Sequence, residues 1–130
     1  MSSGWRTLAD DWIGLADQDL ALARIVVRET SVSDRAFGFH VQQVIEKSLK
    51  AVIATRSNLP PSTHDLVWLI EHSGQQHAFD LDRLDELSPY ASALQRPGSP
   101  LPPRRLDREQ ALARAFEVRV WAGNLVVLTP

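Results

Sequence analysis

Apolar residues recur at three- and four-residue intervals along most of this chain, and no segment alternates in the two-residue rhythm of a half-buried strand. Leu8, Trp12, Leu15, Ala16, Leu20, Ala23 and Val27 trace one face of a first helix over about residues 8–27, with Asp10, Asp11, Asp17 and Asp19 nearby as polar positions. Ser31, Ser33 and Asp34 read as a turn and the start of a second helix. That helix should run over about residues 34–56, with Phe37, Val41, Val44, Ile45, Ser48, Leu49 and Val52 as a nearly continuous apolar stripe. Asn58, Pro60 and Pro61 should stop it, because proline lacks an amide hydrogen and disfavours helix in the residue before it.

Thr63 is then the expected N-cap of a short helix over residues 64–72, with Leu66, Leu69 and Ile70 facing inward. Over residues 79–94, Leu81, Leu84, Leu87 and Tyr90 fall at every third position, which suits one or two short helical turns. Residues 96–105 hold four prolines and a glycine and read as a loop. Asp107 can cap a last helix to Leu128, with Ala111, Leu112, Ala115, Phe116, Val118, Val120, Trp121 and Leu125 as its apolar positions. The expected architecture is all-α: an up-and-down bundle of four to five helices, forming one domain over residues 1–130.

Composition narrows the function classes. The chain of 130 residues has no cysteine, which removes disulfide scaffolds and cysteine-held zinc or iron–sulfur centres. No apolar run is long enough for a membrane span, and the N-terminus lacks a secretory pattern, so a cytoplasmic protein without membrane partners is expected. The formal charge of −2 offers no bulk attraction for nucleic acid. It is nevertheless unevenly spread: residues 1–30 carry −2, residues 31–58 carry +2, residues 59–95 carry −5 and residues 96–130 carry +3. Any anion site must therefore be local.

The second helix offers such a site. At ~100° per residue, His40 and Lys47 fall within about 20° of each other, and Gln43 and Lys50 lie about 60–80° further round. Two amines, an amide and an imidazole on one side can hold an anion, the lysines supplying charge and the others directional hydrogen bonds. Glu46 is also close enough to Lys50 for the favourable i,i+4 pairing. The plainer alternative is an ordinary polar flank, with Lys47 and Lys50 in water and His40 bonded to a neighbouring helix.

The run Phe39-His40-Val41-Gln42-Gln43-Val44-Ile45-Glu46-Lys47-Ser48-Leu49-Lys50-Ala51 resembles the signature helix of the HEPN (higher eukaryotes and prokaryotes nucleotide-binding) domain family, FHxQQxxEKxLKA. Trp12, Ala16, Asp19-Leu20 and Ala23 are similar to its first helix, and Thr63-His64-Asp65-Leu66 to its THDL. Leu87-Ser88-Pro89-Tyr90-Ala91 is similar to LTPYA, and Pro97-Gly98 aligns with the end of ARYPG. The resemblance implies a four- or five-helix bundle, commonly a homodimer, often encoded beside a minimal nucleotidyltransferase in a toxin–antitoxin-like module. Some branches of the family are metal-independent ribonucleases with four to six residues between an arginine and a histidine. Others bind nucleotides or serve as non-catalytic partners.

Arg35-Ala36-Phe37-Gly38-Phe39-His40 satisfies that ribonuclease spacing. A histidine can exchange protons with a 2′-hydroxyl or a leaving oxygen, and an arginine can stabilise phosphorane charge. The sequence departs from the active pattern at Ala36, where a polar residue is usual, and at Gln42, where the toxin branch has tyrosine. In the ARYPG segment, Gln95 stands for the arginine and Arg96 for the tyrosine, so the basic group moves one place along. If the loop covers helix two, Arg96, Arg104 and Arg105 would join Lys47 and Lys50 around phosphate; otherwise it is a basic loop apart from that helix.

The expected phosphate site thus comprises His40, Gln43, Lys47, Lys50, His64 and Arg96, with Arg35 and His40 as the catalytic alternative. His72 and His77 lack the i,i+4 spacing of a helical metal site, and neither a metal nor another cofactor is expected. Trp5, Trp12, Trp68 and Trp121 read as core and interface anchors. Three functions follow: binding of a nucleotide or RNA phosphate beside a nucleotidyltransferase partner, metal-independent RNA cleavage, or a non-catalytic helical interaction module.

Overall fold

The computed structural model describes residues 1–75, 78–93 and 96–130, and among them all regular structure is helical. α1 spans Ser3–Val26, α2 Asp34–Thr55, α3 Leu66–His72, α4 Leu81–Asp85 and α5 Arg108–Leu128, with a 3₁₀ helix over Ser88–Ser92 before α5. None of these helices is long and apolar enough to cross a membrane.

Short polar side chains set the helix starts. The hydroxyl of Ser2 accepts from Trp5 N, and that of Ser33 from Ala36 N at 3.1 Å. The Asp80 and Asp107 carboxylates accept from Arg83 N and Gln110 N. Each cap satisfies an amide that the first helical turn leaves unpaired. α1 therefore begins at Ser3, five residues before the first member of its apolar stripe. The third helix also differs from expectation. Asp65, not Thr63, is its N-cap, accepting from Trp68 N at 3.1 Å, while Thr63 Oγ1 accepts from Asp65 N in the preceding turn. A carboxylate in that place has the additional attraction of the helix dipole.

α2 ends at Thr55, before its prolines. Ser57 takes a left-handed φ of 57° and donates its amide to Ala54 O at 3.0 Å, which turns the chain out of the helix. Pro60 and Pro61 lie beyond a helix that has already ended.

α1 and α2 form an antiparallel hairpin: Ala9 packs near Ala51 and Ala54 at one end, and Asp19 meets His40 nearer the other. Ala9, Ala16 and Ala23 are fully buried at seven-residue spacing, and their small side chains allow close approach of the two helices. α5 runs parallel to α2 and antiparallel to α1, with Arg108 beside Asp34 at its start and Val126 beside Ala9 near its end. α3, α4 and the 3₁₀ helix make the return leg between them.

Arg108 locks this arrangement. Its Nε donates to Asp34 Oδ1 at 2.7 Å, and its Nη atoms donate to the carbonyls of Val26, Glu29 and Val32. One guanidinium thus satisfies the connection between α1 and α2 and fixes it to α5.

α2 is the centre of the bundle, contacted by α1, α3, α5 and the 3₁₀ helix. Burial extends around most of its circumference, taking in Gln42, Gln43, Glu46, Ser48 and Lys50 with the apolar stripe. A stripe with a solvated polar flank was the simpler expectation. The return leg and α1 cover that flank, so its polar groups must find partners inside the protein. α5 differs in the opposite sense: Phe116 and Val120, both counted among its apolar positions, face outward, and the Arg24 guanidinium lies 4.9 Å over the Phe116 ring.

Candidate functional site

Two carboxylates organise the polar residues of α2. Asp19, from the middle of α1, accepts from His40 Nδ1 at 2.9 Å through one oxygen and from Lys47 Nζ at 2.5 Å through the other. The antiparallel hairpin produces this cluster. His40 and Lys47 are two turns apart on one face of α2, and Asp19 projects between them from the facing helix. The Asp19 side chain is 12% exposed, that of His40 22% and that of Lys47 20%.

Glu46 organises a second cluster that is deeper. Its Oε1 accepts from His64 Nδ1 at 2.6 Å and from Gln42 Nε2 at 3.1 Å, and its Oε2 accepts from Lys50 Nζ at 3.2 Å. Gln42 also donates to the carbonyl of His64 at 3.3 Å, and its own side-chain oxygen accepts from Gln43 Nε2 at 2.7 Å. The Lys50 ammonium lies 5.2 Å from the Trp12 ring centre, where the face of the indole gives it a further favourable contact. Glu46 and Lys50 are almost fully buried, whereas half of the His64 side chain is exposed.

The clusters share one design: a carboxylate holds an imidazole and an ammonium together, as Asp19–His40–Lys47 and as Glu46–His64–Lys50. An ionised carboxylate only accepts hydrogen bonds, so each histidine presents Nδ1–H to it. The Nε2 edge of each ring is left for another partner.

The six expected phosphate-site residues therefore divide. His40, Lys47 and His64 reach solvent from the two clusters, while Gln43 and Lys50 are buried in the network that supports them. Arg96 is exposed in a turn in which its amide donates to Ser92 O and its carbonyl accepts from Ser99 N, both at 3.0 Å. That turn is tied to the beginning of α2. Arg35 donates to Ala93 O at 3.2 Å, to Ser99 Oγ at 2.9 Å and to Ser99 O at 3.0 Å. Arg35 and Lys47 are twelve residues apart on α2, roughly 18 Å along its axis, so this anchor holds the turn away from the lysines. Arg104 and Arg105 border a cleft formed by α4, the 3₁₀ helix and α5, with no residue of α2 in its lining. The loop does not assemble its arginines around Lys47 and Lys50.

Arg35 and His40, the catalytic alternative, have separate partners: backbone and hydroxyl oxygens of the loop for the first, Asp19 for the second. Close to Arg35, the Tyr90 ring fills the space over Gly38. Burial, and secondarily the charge of Asp34, raise the Tyr90 phenol above its ordinary value of 10.0, with Arg35 opposing them.

Asp19, which joins His40 and Lys47, is not among the expected site residues, although its position carries a signal. At ~100° per residue it lies about 20° from Trp12, between Leu8 and Trp12 on the apolar stripe, whereas Asp10, Asp11 and Asp17 are exposed. An acid among core-facing positions calls for a partner. Of the residues considered for metal binding, His72 stacks on Trp68 with ring centres 3.4 Å apart, and His77 lies outside the described residues, as does Gln95 of the loop. Among the described residues there is no group of three or more side chains suited to holding a metal ion.

The family model of the HEPN domain matches residues 9–125, nearly the whole chain. No curated protein and no solved structure matches it significantly.

Proposed function

Since the chain belongs to the HEPN domain family, we propose that it binds the phosphate groups of a nucleotide or of RNA through His40 and Lys47, beside a separately encoded minimal nucleotidyltransferase in a toxin–antitoxin-like pair. The observation that carries this reading is the bridge from Asp19 to both side chains. It engages the imidazole through Nδ1, which leaves Nε2 for a ligand, and holds an ammonium on the other oxygen of the same carboxylate, a paired arrangement of directional hydrogen bond and charge suited to a phosphate oxygen. His64, held in the same manner by Glu46, supplies a second outward imidazole. Gln43 and Lys50 act from beneath by keeping Glu46 and Gln42 in place.

Asp19 neutralises most of the positive charge that Lys47 brings, so recognition here rests on geometry more than on field. Binding should therefore fall only gently with salt, with a slope of about −1 to −2 in log K against log salt. Leu15 and Leu22 flank Asp19 on α1 at i−4 and i+3 and are 41% and 43% exposed. That apolar rim suits a second copy of the chain, in keeping with the homodimer common in the family, or the partner protein.

Calorimetric titration of ATP and of a short RNA into the purified protein tests the proposal. Affinity should fall in His40→Ala and Lys47→Ala and be unchanged in Arg35→Ala. Absence of binding by the wild-type protein, or full affinity in both α2 variants, contradicts it. Co-expression with the neighbouring gene product should yield a copurifying complex. Failure to copurify removes the partner without removing the phosphate site.

The Asp19–His40 hydrogen bond specifically favours a second reading, metal-independent RNA cleavage, because it gives the histidine the orientation that proton transfer requires. Cleavage in the presence of a chelator, abolished by His40→Ala, would establish it. Arg35 would then contribute to the chemistry only after exchanging its bonds to Ala93 and Ser99 for bonds to substrate.

A further inference from the structure

A cavity of about 310 Å³ lies between α4, the 3₁₀ helix and the first turns of α5, and none of its lining comes from α1 or α2. It is thus separate from both carboxylate-centred clusters. Four arginines line it, Arg83, Arg104, Arg105 and Arg114, together with two acids, Glu86 and Asp107. The lining carries a net +2 in a chain whose total is −2.

The carboxylates leave the charge of Arg104 and Arg105 unanswered among the described residues. Asp107 is engaged at the start of α5, accepting from Gln110 N at 3.1 Å. Glu86 is 3.9 Å from Arg114, at the outer limit of an ion pair, and Arg83 pairs with Asp80 at 3.6 Å on the exposed side. Arg104 and Arg105 form no side-chain hydrogen bond or ion pair among the described residues. Arg104 and Arg105, adjacent in the chain and both lining the cavity, leave positive charge there that an anion would offset. Guanidiniums are also the groups best matched to phosphate oxygens, through paired N–H donors.

The floor has a different character. Leu87, Tyr90 and Ala111 line the cavity from its buried side, and Tyr90 is held in place against Gly38. Free inorganic phosphate would gain nothing from such a floor, whereas the organic part of a phosphate ester would be covered by it. The volume is at the small end of the range for small-molecule sites.

We infer that this cavity binds a small organic phosphate monoester, of the size and dianionic charge of a nucleoside monophosphate. The arginines hold the phosphate, and Tyr90 and Leu87 cover the attached ring. This site is independent of the phosphate face proposed on α2 and rests on different residues.

The test is calorimetric titration of AMP into the full chain, with adenosine and inorganic phosphate as separate arms. AMP should bind more tightly than either. Arg104→Gln/Arg105→Gln should weaken it about a hundredfold, roughly tenfold for each charged contact removed. His40→Ala/Lys47→Ala should retain this binding, so failure of one site is distinguishable from failure of the other. Circular dichroism confirms that each variant is folded, and Arg104→Lys/Arg105→Lys should restore part of the affinity. Adenosine binding as tightly as AMP overturns the inference, as does AMP affinity unchanged in the glutamine variant. Absence of AMP binding at millimolar concentration does the same. An RNA without terminal phosphate that binds through Arg104 and Arg105 when AMP does not would make the cavity part of a nucleic-acid track, and also overturns it.

Discussion

Gly38 and Tyr90 are in face-to-ring contact: a Cβ placed on Gly38 would lie 2.2 Å from Tyr90 Cδ1 and 2.6 Å from Cε1. Gly38 is helical and has no unusual φ, so the missing side chain, not backbone freedom, is what the position requires. Gly38→Ala gains about 0.5–1 kcal/mol of helix propensity but forces the ring out of its site at a typical overpacking cost of about 1–3 kcal/mol. The net expectation is a loss of up to about 2.5 kcal/mol, seen as a lower urea midpoint with an unchanged slope. In the Tyr90→Ala background the same substitution should be neutral or stabilising.

Alkali should destabilise this protein through Tyr90, its one tyrosine. Burial raises the phenol above its ordinary value of 10.0 in the folded state. The folded protein therefore holds that proton more tightly than the unfolded chain does. The associated stability is complete below pH 10 and declines as pH rises from there through the raised folded value. Absorbance at 295 nm should show tyrosinate forming above pH 10, and Tyr90→Phe should flatten the alkaline fall in stability.

Glu46 should matter more for stability than Lys50. Glu46→Ala leaves the Lys50 ammonium buried without its carboxylate and releases Gln42 and His64, at a cost of about 3–5 kcal/mol. Lys50→Met removes the buried charge and leaves Glu46 bonded to His64 and Gln42, so its cost should be smaller. Thermal unfolding of both single variants and of the double variant measures the difference.

Arg35 should prove to be an anchor for the loop. Its guanidinium holds Ala93 and Ser99, and Arg35→Ala should increase proteolysis between residues 93 and 105. Affinity for phosphate at His40 should be unaffected. Loss of an RNA-cleaving activity with loop protection intact would instead place Arg35 in the chemistry.

Helix number and type were legible because the apolar intervals are long and regular, as in the stripe from Trp12 to Val27. The ends were less so. Ser57 stops α2 through a backbone conformation that serine does not advertise, and Asp65 displaced the equally plausible cap Thr63. His40 and Lys47 were placed together correctly by helical arithmetic, since both are on one helix. The carboxylate joining them comes from a different helix, and its place depends on the register of the α1–α2 hairpin. Burial of Gln43 and Lys50 was hidden for a similar reason. Whether a polar flank meets water is decided by what the return leg covers.

Asp19 and its two partners can be tested most directly by nuclear magnetic resonance of the four histidine rings during titration with ATP. The ring nitrogen signals of His40, and more weakly of His64, should shift with a common saturation curve. His72, stacked on Trp68, should not move. Lys47→Ala and Asp19→Asn should abolish the His40 response while the spectrum remains that of a folded bundle. Saturable ATP binding by the Arg104→Gln/Arg105→Gln protein that leaves the His40 signals unmoved would contradict the account.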